Sequence, residues 1–341
     1  MTDSQGILRC ISLAHQAGGY VHPNPWVGCV IAIGERVLAE GYHSKAGKAH
    51  AEVEALRSIQ EDERPLLSEA TLYVNLEPCA HYGKTPPCAS AIVEAGVKEV
   101  VVGTLDPNPL VAGKGVEMLR EAGIVVRVGV EESACRWLNR RFFHSLETGR
   151  PYIVLKWAES ADGFIDGVRT LEHPGPYRIS NEESRALVHQ WRSMEAGILV
   201  GWGTYMLDEP ALTVREVRGA QPQRILWSSR GKWDVDAGWW LWQAKNHPKP
   251  WTVFERLAKE SGLRSLFVEG GAATLQGLMD AGLYDEIRVI KSPLNLGEGL
   301  AAPRVPENAQ RVHPGDRPTD ECPDHIGDNH IQRYLSPTFK A

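Results

Sequence analysis

The amino-acid sequence predicts an α/β protein built from two domains. Its 341 residues exceed the length at which a single hydrophobic core stops growing. Helical and strand patterns alternate over the first 130 residues, which is typical of a layered α/β domain. At residues 147–151 a glycine and a proline end a helical pattern directly before a new apolar run. We therefore expect one domain over residues 1–146 and a second over residues 151–341.

Apolar spacing assigns the elements of the first domain. Helices are expected at residues 7–16, 50–59, 89–95 and 116–122, followed by a polar helix that ends near residue 146. Strands are expected at residues 27–33, 37–38, 71–76, 99–103 and 124–128.

The second domain begins with an apolar strand at residues 152–157. A loop rich in glycine and proline is expected at 162–176, and a helix at 181–192 that Asn181 or Ser180 would cap. Further strands are expected at residues 197–200, 224–227, 265–269 and 286–290. The tryptophan-rich tract at 233–250 has no clear period and receives no assignment, and the polar segment 303–327 is predicted to be loop.

Composition narrows the class of protein. Hydrophobic residues make up 43% and charged residues 23%, which excludes disordered, collagen-like and coiled-coil descriptions of the whole chain. A formal net charge of -6 without long runs of like charge disfavours a nucleic-acid binder and favours a small-molecule substrate. With no long apolar stretch and no signal-like start, we expect no membrane association and a cytoplasmic location.

A group of potential metal ligands lies in the first domain. His50-Ala51-Glu52 opens a predicted helix, and Cys79 and Cys88 lie where a strand gives way to the next helix. One imidazole and two thiolates are zinc ligands that leave a fourth position open, as catalytic sites do. Glu52 follows the histidine by two residues and can move a proton without binding the metal. The pattern matches zinc deaminases, in which an activated water attacks an amine-bearing ring carbon and ammonia leaves.

The spacing of the two cysteines departs from the usual zinc deaminase pattern. That pattern is Pro-Cys-x-x-Cys, whereas eight residues separate Cys79 from Cys88 here. A lone histidine or cysteine is usually a surface or core residue, but the order of all three pieces favours the zinc site. The other four cysteines have no such companions, and we expect them in the core or at the surface: Cys10, Cys29, Cys135 and Cys322.

Five further segments extend the pattern around the metal ligands: LEPCAHYGKTPPC at 76–88, HPNP at 22–25, GYH at 41–43, HAEV at 50–53 and DPNPLVAGKG at 106–115. Together with the long loop between the cysteines, they closely resemble the bifunctional riboflavin-biosynthesis deaminase-reductase family. The resemblance implies a three-layer α/β/α, cytidine-deaminase-like domain that deaminates a diaminohydroxypyrimidine carrying a phosphoribosylamino group. It also implies one zinc ion per chain bound by His50, Cys79 and Cys88, with Glu52 as the catalytic residue.

Six further positions match residues that line the substrate site in this family: Asn24, His43, His81, Lys84, Asp106 and Asn108. Amide and carboxylate groups suit a polar pyrimidine edge, and Lys84 suits a phosphate. Asn24 and Asn108 each precede a proline, so turn formation is an alternative explanation for both, and the two roles can coexist.

The second domain contains two weaker patterns. Glu269-Gly270-Gly271 lies between a predicted strand and a helix, where backbone amides can approach a phosphate. It lacks Gly-x-Gly-x-x-Gly, so a Rossmann domain is not predicted, and glycines of a tight turn are the alternative. Asp208 and Arg215 place a carboxylate and a guanidinium around one loop, which suits a hydroxyl-bearing, phosphorylated ligand. A surface ion pair is the alternative.

The order of these patterns is similar to that in the family's reductase domain. The resemblance implies a dihydrofolate-reductase-like α/β fold, NADPH as hydride donor to the ribosyl group, and a homo-oligomer, a dimer through this domain. Positions that match NADPH contacts are Ala158, Thr204, Asp208, Gly271, Ala272, Ala273, Thr274, Leu275, Gln276 and Gly277. Positions that match substrate contacts are Arg192, Leu212, Arg215 and Glu269. Arg192 and Arg215 would bind the ribose phosphate, unless Arg192 is the solvated end of its helix.

Several positions depart from the commonest members of the family. Phe164 follows Asp162-Gly163 where many relatives have arginine, the loop to residue 180 is longer, and no aspartate follows the strand that ends near Ser228. One alternative is therefore a zinc deaminase for a related heterocycle with a diverted or inactive reductase domain. A nucleic-acid deaminase and a non-enzymatic zinc module follow as weaker alternatives.

Overall fold

A computed structural model describes residues 1–81, 86–108, 111–228, 237–243, 250–313, 316 and 322–339. The chain separates into two compact units, Met1–Glu147 and Thr148–Lys340. Among the described residues, no helix has the length and apolar character needed to cross a membrane.

The first unit is built around one mixed sheet. Its helices are α1 Asp3–His15, α2 Ala51–Ser58, α3 Cys88–Glu94, α4 Lys114–Glu121, α5 Glu132–Leu138 and α6 Arg140–Thr148, with 3-10 turns at Gly18–Val21 and Arg64–Glu69. Its strands are β1 Gly28–Ile33, β2 Arg36–Tyr42, β3 Thr71–Leu76, β4 Glu99–Thr104 and β5 Val125–Val128. The strand order is β2-β1-β3-β4-β5, with β1 antiparallel to both neighbours and β3, β4 and β5 parallel.

Helices cover both faces of this sheet. Helices α1 and α5 pack on one face, whereas α2, α3 and α4 pack on the other. Parallel strands covered on both sides are apolar throughout, and Val100, Val101 and Val102 of β4 are accordingly all fully buried. The carboxyl ends of the parallel strands β3 and β4 therefore meet at one edge, where residues 77–79 and 105–108 follow.

The polar helix predicted to end near residue 146 is instead two helices, α5 and α6. The break lies at Asn139, whose side chain is bonded to the backbone of Trp26. The amide oxygen accepts from Trp26 N at 2.7 Å, and the amide nitrogen donates to Trp26 O at 2.9 Å. This contact with a residue distant in sequence could not be read from the helical pattern.

The second unit contains a large, mostly parallel sheet. Its helices are α7 Glu182–Ser193, α8 Trp202–Asp208, α9 Pro250–Ser261 and α10 Ala272–Asp280. Its strands are β6 Tyr152–Glu159, β7 Phe164–Gly167, β8 Gly197–Gly201, β9 Gln223–Ser228, β10 Trp239–Gln243, β11 Ser265–Val268, β12 Glu286–Lys291, β13 Gly299–Ala301, β14 Gln310–Val312, β15 His325–Ile326 and β16 Asn329–Leu335.

The order in the large sheet is β10-β9-β8-β11-β6-β12-β16-β14, and β15 also pairs with β16. The pairs from β10 through β12 are parallel, whereas β16 is antiparallel to its neighbours. Residues Tyr152 to Leu155 of the central strand β6 are fully buried, with hydrophobic clusters on both sides of the sheet. Asn181, not Ser180, caps α7, because its side chain accepts from Ser184 N at 2.9 Å.

Two segments predicted to be loop contain short strands. In the segment 162–176, β7 pairs with β13, which places Gly167 opposite Gly299 and Asp166 opposite Leu300. In the segment 303–327, β14 and β15 both pair with β16. These strands are too short to show periodicity and form through pairing with distant segments. In the unassigned tryptophan-rich tract, β10 is an edge strand, and residues 229–236 and 244–249 lie outside the described part of the chain.

Candidate functional site

The three predicted zinc ligands come together in the first unit. His50 is the N-cap of α2, Cys88 is the first residue of α3, and Cys79 follows β3. His50 Nδ1 lies 3.2 Å from Cys88 Sγ and 3.7 Å from Cys79 Sγ, and the three ligand atoms all lie within 4.8 Å of one another. Tetrahedral zinc with bonds of about 2.0–2.3 Å would hold its ligands roughly 3.5 Å apart. The donor set and its spacing therefore fit zinc.

Hydrogen bonding within this group already favours a thiolate at Cys79. The Cys88 thiol and the His50 ring hydrogen-bond to Cys79 Sγ, as does the Cys88 backbone N–H at 3.3 Å, and they lower the pKa of the Cys79 thiol to about 4. The pKa of Cys88 is raised, chiefly because its thiol is the donor to Cys79. The thiolate is the form in which cysteine binds metals.

Glu52 lies two residues after the predicted ligand His50, in the first turn of α2, and its carboxyl is buried. Only 3% of the Glu52 residue is exposed to solvent. Among the described residues, Glu52 Oε2 has no hydrogen-bond partner. Burial raises the pKa of this carboxyl to about 7, although the charge of His50 opposes the shift. A buried carboxyl oxygen without a partner beside three metal ligands is placed to exchange a proton with a molecule bound at the centre.

Asn24 and His43 lie on the His50 side of the predicted metal centre. Because the Ala49 carbonyl can only accept, His43 Nδ1 donates to it at 3.0 Å, and His43 Nε2 then accepts from Asn24 Nδ2 at 3.1 Å. The His43 ring contacts His50 edge-on, with 5.3 Å between ring centroids. Burial lowers the pKa of His43 and favours the neutral ring. These contacts hold the Asn24 amide in one orientation.

Asp106 lies on the Cys79 side of the predicted metal centre, two residues after the end of β4. Its carboxylate accepts from the backbone N–H of Asn108 at 2.8 Å, so both residues belong to one turn. Burial raises the pKa of Asp106, and the charge of Cys79 adds to this while that of His81 opposes it. Lys84, the remaining predicted substrate residue, lies outside the described part of the chain.

Two cavities in the second unit hold most of the predicted reductase residues. The first, of about 500 Å³, is lined among others by Ala158, Thr204, Asp208, Glu269, Gly271, Ala272, Ala273 and Thr274. The second, of about 440 Å³, is lined by Arg192, Leu212 and Arg215 together with Thr204, Asp208 and Glu269. The two cavities therefore share Thr204, Asp208 and Glu269. The first is lined by most of the predicted cofactor contacts, and the other predicted substrate contacts line the second.

Three residues predicted to contact NADPH do not line either cavity. Leu275 is fully buried in the hydrophobic core. Gln276 donates to Asp280 at 2.8 Å and accepts from the backbone of Arg304 at 2.9 Å, and Gly277 lies further along α10. The part of α10 that faces the cavity ends at Thr274.

Glycine allows two turns to approach each other at the first cavity. A Cβ atom on Gly201, at the end of β8, would lie 2.2 Å from Thr274 Oγ1, and one on Gly271 would lie 3.2 Å from Thr204 Oγ1. Any larger side chain at Gly201 would push the β8–α8 turn away from α10. Close packing of the two turns is therefore one reason for glycine at these positions, and phosphate binding by the Gly271 turn stays a prediction.

The predicted phosphate-binding pair is not a pair of free cations. Arg192 donates to both carboxylate oxygens of Glu269, at 2.7 and 2.8 Å, and to Thr213 O at 3.2 Å. Its side chain is 11% exposed, which excludes the solvated helix end. Burial raises the pKa of Glu269, but the charges of Arg192 and Lys156 outweigh this effect and bring it to about 2. Arg215 is 56% exposed, and its nearest carboxylate, Glu216, is 3.6 Å away.

Sequence reasoning missed two charged residues of the first cavity. Lys156, on β6, lines this cavity, and burial lowers its pKa while the nearby Glu269 raises it. The available signal was a lone lysine within a buried strand. Arg169, from the long loop after β7, donates to Asp208 at 2.5 Å and to Asp166 at 2.8 Å. Nothing in the local sequence pairs Arg169 with Asp208.

Comparison with known proteins matches both halves of the chain. The family model "Cytidine and deoxycytidylate deaminase zinc-binding region" matches residues 1–104, and "RibD C-terminal domain" matches residues 151–314. The chain is 41% identical to the riboflavin biosynthesis protein RibD of Aquifex aeolicus over 325 residues, which covers 88% of this chain and 89% of that protein.

Solved structures agree with this match. The structure of Acinetobacter baumannii RibD, form 1, is similar with a TM-score of 0.83 at 32% identity, covering 98% of each chain. A Thermotoga maritima protein described as a diaminohydroxyphosphoribosylaminopyrimidine deaminase/5-amino-6-(5-phosphoribosylamino)uracil reductase has a TM-score of 0.85 at 29% identity, again over 98% of each chain. The predicted fold class and the predicted zinc cofactor are confirmed. The chain therefore belongs to the RibD family of riboflavin biosynthesis proteins.

Proposed function

We infer that the chain is a bifunctional enzyme of riboflavin biosynthesis. It deaminates a diaminohydroxyphosphoribosylaminopyrimidine with zinc and then reduces the ribosyl group of the product to ribityl with NADPH. The deaminase corresponds to residues 1–146 and the reductase to residues 151–341. The observation that carries this proposal is the buried Glu52 oxygen beside the three zinc ligands, which has no partner in the described part of the chain. The same chain carries the two adjoining cavities.

In the deaminase unit, His50, Cys79 and Cys88 would hold zinc. When bound, the metal supplies Lewis acidity that lowers the pKa of a water molecule. Glu52 would accept a proton at Oε2 from the attacking water as the water oxygen bonds to the amine-bearing ring carbon, and would return that proton to the amine. The C–N bond then breaks and ammonia departs, and the remaining hydroxyl proton passes to the ring nitrogen so that a carbonyl is left. Burial of the Glu52 carboxyl excludes competing bulk water from this exchange.

Groups on both sides of the metal centre would recognise the substrate. Asn24, held by the neutral His43, presents an amide to the pyrimidine edge from one side. The turn containing Asp106 and Asn108 presents a carboxylate and an amide from the other. We assign His81 and Lys84, from the loop between the two cysteines, to the same substrate, with Lys84 at its phosphate.

In the reductase unit, NADPH would occupy the first cavity and supply hydride. Ala158, Thr204 and Asp208 would contact it, together with residues 271–274 at the start of α10, while residues 275–277 support this turn from within the helix. Leu212 and Arg215 would bind the phosphorylated ribose in the second cavity. Glu269 lines both cavities, so it lies where the cofactor and the sugar meet, and Arg192 holds it there.

We also propose that the chain forms a homodimer through its reductase domain and acts in the cytoplasm without nucleic-acid or membrane partners. Membership of the RibD family, whose resemblance implies the dimer, supports the first point. The formal net charge of -6 disfavours a nucleic-acid partner. Analytical ultracentrifugation of the full chain, with and without salt, tests the dimer.

The proposed function is tested with purified, zinc-loaded chain and the phosphoribosylated diaminopyrimidine. Ammonia release is expected with or without NADPH, and NADPH oxidation only after the deaminated intermediate has formed. Chelation of zinc should stop ammonia release and leave the reduction of separately supplied intermediate intact. Ammonia release without subsequent NADPH oxidation would restrict the function to the deaminase. Absence of both reactions would refute the proposal.

A further inference from the structure

The carboxylate of Glu77 binds four backbone N–H groups from a distant segment. Oε2 accepts from Asp106 N at 3.2 Å and Gly113 N at 3.0 Å. Oε1 accepts from Gly115 N at 2.9 Å and Val116 N at 3.3 Å. The residue is only 4% exposed, so these bonds form away from solvent. Hydrogen bonds from N–H groups to a buried carboxylate are among the stronger ones in proteins.

These four bonds join both ends of the segment that carries Asp106 and Asn108. Asp106 begins the segment after β4, and Gly113 ends it as the N-cap of α4. Gly115 and Val116 then lie in the first turn of α4, where backbone N–H groups have no partner within the helix. One carboxylate therefore fixes the start of the segment, its end and the helix that follows.

Glycine is required at two of these positions. Gly113 has φ of 79°, in the left-handed region that favours glycine. A Cβ atom on Gly115 would lie 1.9 Å from Pro78 O. The first turn of α4 is thus packed against the backbone that leads from Glu77 to the zinc ligand Cys79, and it has no room to shift.

We propose that Glu77 is a positioning residue that sets Asp106 and Asn108 at a constant distance from the metal centre. Glu77 is two residues before Cys79, and its own backbone N–H donates to Thr104 O at 2.9 Å, which continues the β3–β4 pairing. Glu77 therefore connects to the turn of Asp106 and Asn108 through its carboxylate, and to the zinc ligand Cys79 through the adjoining backbone. This inference rests on the proposed deamination, to which it adds a residue outside the metal and substrate contacts.

The test is Glu77→Gln in the full, zinc-loaded chain. The carboxamide keeps one acceptor oxygen but turns an NH₂ group toward two N–H donors, so half of the contacts are lost. We expect kcat/KM for ammonia release to fall at least about tenfold, mainly through KM, because small misplacement of substrate groups is costly. Zinc content and the reduction of separately supplied intermediate should be unchanged. Hydrogen exchange should rise at the amides of residues 106 and 113–116.

Glu117→Gln is the matched control, because Glu117 is an exposed residue of the same helix and the change removes the same charge. Its activity and hydrogen exchange should equal those of the wild type. In an Asp106→Asn background, Glu77→Gln should cause little additional loss, because both changes act through the same turn.

Three results would overturn the inference. One is an unchanged kcat/KM despite increased hydrogen exchange, and another is loss of zinc together with activity. If the glutamine variant does not fold, Glu77→Asp replaces it, because its shorter carboxylate keeps the charge but cannot reach all four donors. Wild-type kinetics in that variant are the third result. A wild-type chain that releases no ammonia would refute the proposed function as well, whereas an active wild type with an equally active variant refutes this inference alone.

Discussion

Arg192 and Glu269 form a bidentate ion pair in the reductase unit, with arginine Nε and Nη2 each bonded to a different carboxylate oxygen at 2.7 and 2.8 Å. The two residues are 77 positions apart. Arg192 lies in α7, and Glu269 directly follows β11. Planar, two-point pairing of this kind suits arginine and not lysine. The ion pair commits the Arg192 guanidinium to Glu269, so Arg192 organises the site. Of the two arginines predicted to bind the phosphate, Arg215 is the one that stays exposed.

Arg215→Ala should therefore weaken binding of the phosphorylated substrate without unfolding the chain. We expect the reductase KM for the deaminated intermediate to rise about tenfold, as for loss of one charge-assisted contact, while kcat changes little. Steady-state kinetics with separately supplied intermediate measure both values. Arg218→Ala, an exposed neighbour, is the control. An unchanged KM for Arg215→Ala would remove this residue from the phosphate site.

Arg192→Met should act differently, because it leaves the Glu269 carboxylate buried without its partner. Breaking a buried pair in this way costs about 3–5 kcal/mol. We expect a large fall in the free energy of unfolding of the second unit, measured by urea denaturation, along with loss of reduction. A variant as stable as the wild type would show that the pair contributes little to this fold.

Acid stability should depend on Glu269. Its pKa is about 2 in the folded chain, below the ordinary 4.5, so its contribution to stability is present above pH 4.5 and is lost as the pH falls through 2. The difference corresponds to on the order of 3 kcal/mol. Glu269→Gln should flatten the dependence of unfolding free energy on pH between these values. Glu255→Gln, an exposed residue of α9, should retain the wild-type slope, and equal slopes for both variants would contradict the assignment.

Glu52→Gln should keep zinc but lose ammonia release by roughly a thousandfold or more, because the amide cannot accept and return the proton. Zinc content by atomic absorption and ammonia by a coupled assay test this expectation. Glu54→Gln, on the same helix but 45% exposed, should retain activity. Substantial turnover by a folded, zinc-loaded Glu52→Gln chain would remove Glu52 from its proposed role.

Arg169→Ala should impair use of NADPH. Arg169 joins the long loop after β7 to Asp208, a proposed cofactor contact, and it compensates the charge of that carboxylate. Without it, Asp208 repels the cofactor phosphates, and we expect the KM for NADPH to rise about three- to tenfold. Ammonia release should be unaffected. Arg256→Ala, an exposed residue of α9, is the control, and an unaltered KM in Arg169→Ala would show that the loop does not shape the cofactor cavity.

The metal centre was predictable because its evidence is local. A histidine at a helix start, a glutamate two residues later and two cysteines at the ends of one loop are chemical types that zinc prefers, and they can be recognised without distances. The apolar strand β4 was also predictable, because burial on both faces leaves the continuous apolar run from Val100 to Val102. Glu77, in contrast, whose carboxylate accepts from the backbone N–H of Asp106, could be recognised in the sequence only as part of the Glu-Pro-Cys turn.

The sequence by itself determined the α/β class of both halves, the group of His50, Cys79 and Cys88 that fits zinc, the neighbouring Glu52, and the family to which the chain belongs. Only the tertiary structure decided which charges pair: Arg192 with Glu269, Arg169 with Asp208, and the Glu77 carboxylate with four backbone amides. The physical reason is that residue type and spacing record local chemistry. Ion pairs and short strands such as β7 depend instead on the order of strands in the folded sheet, which brings distant segments together.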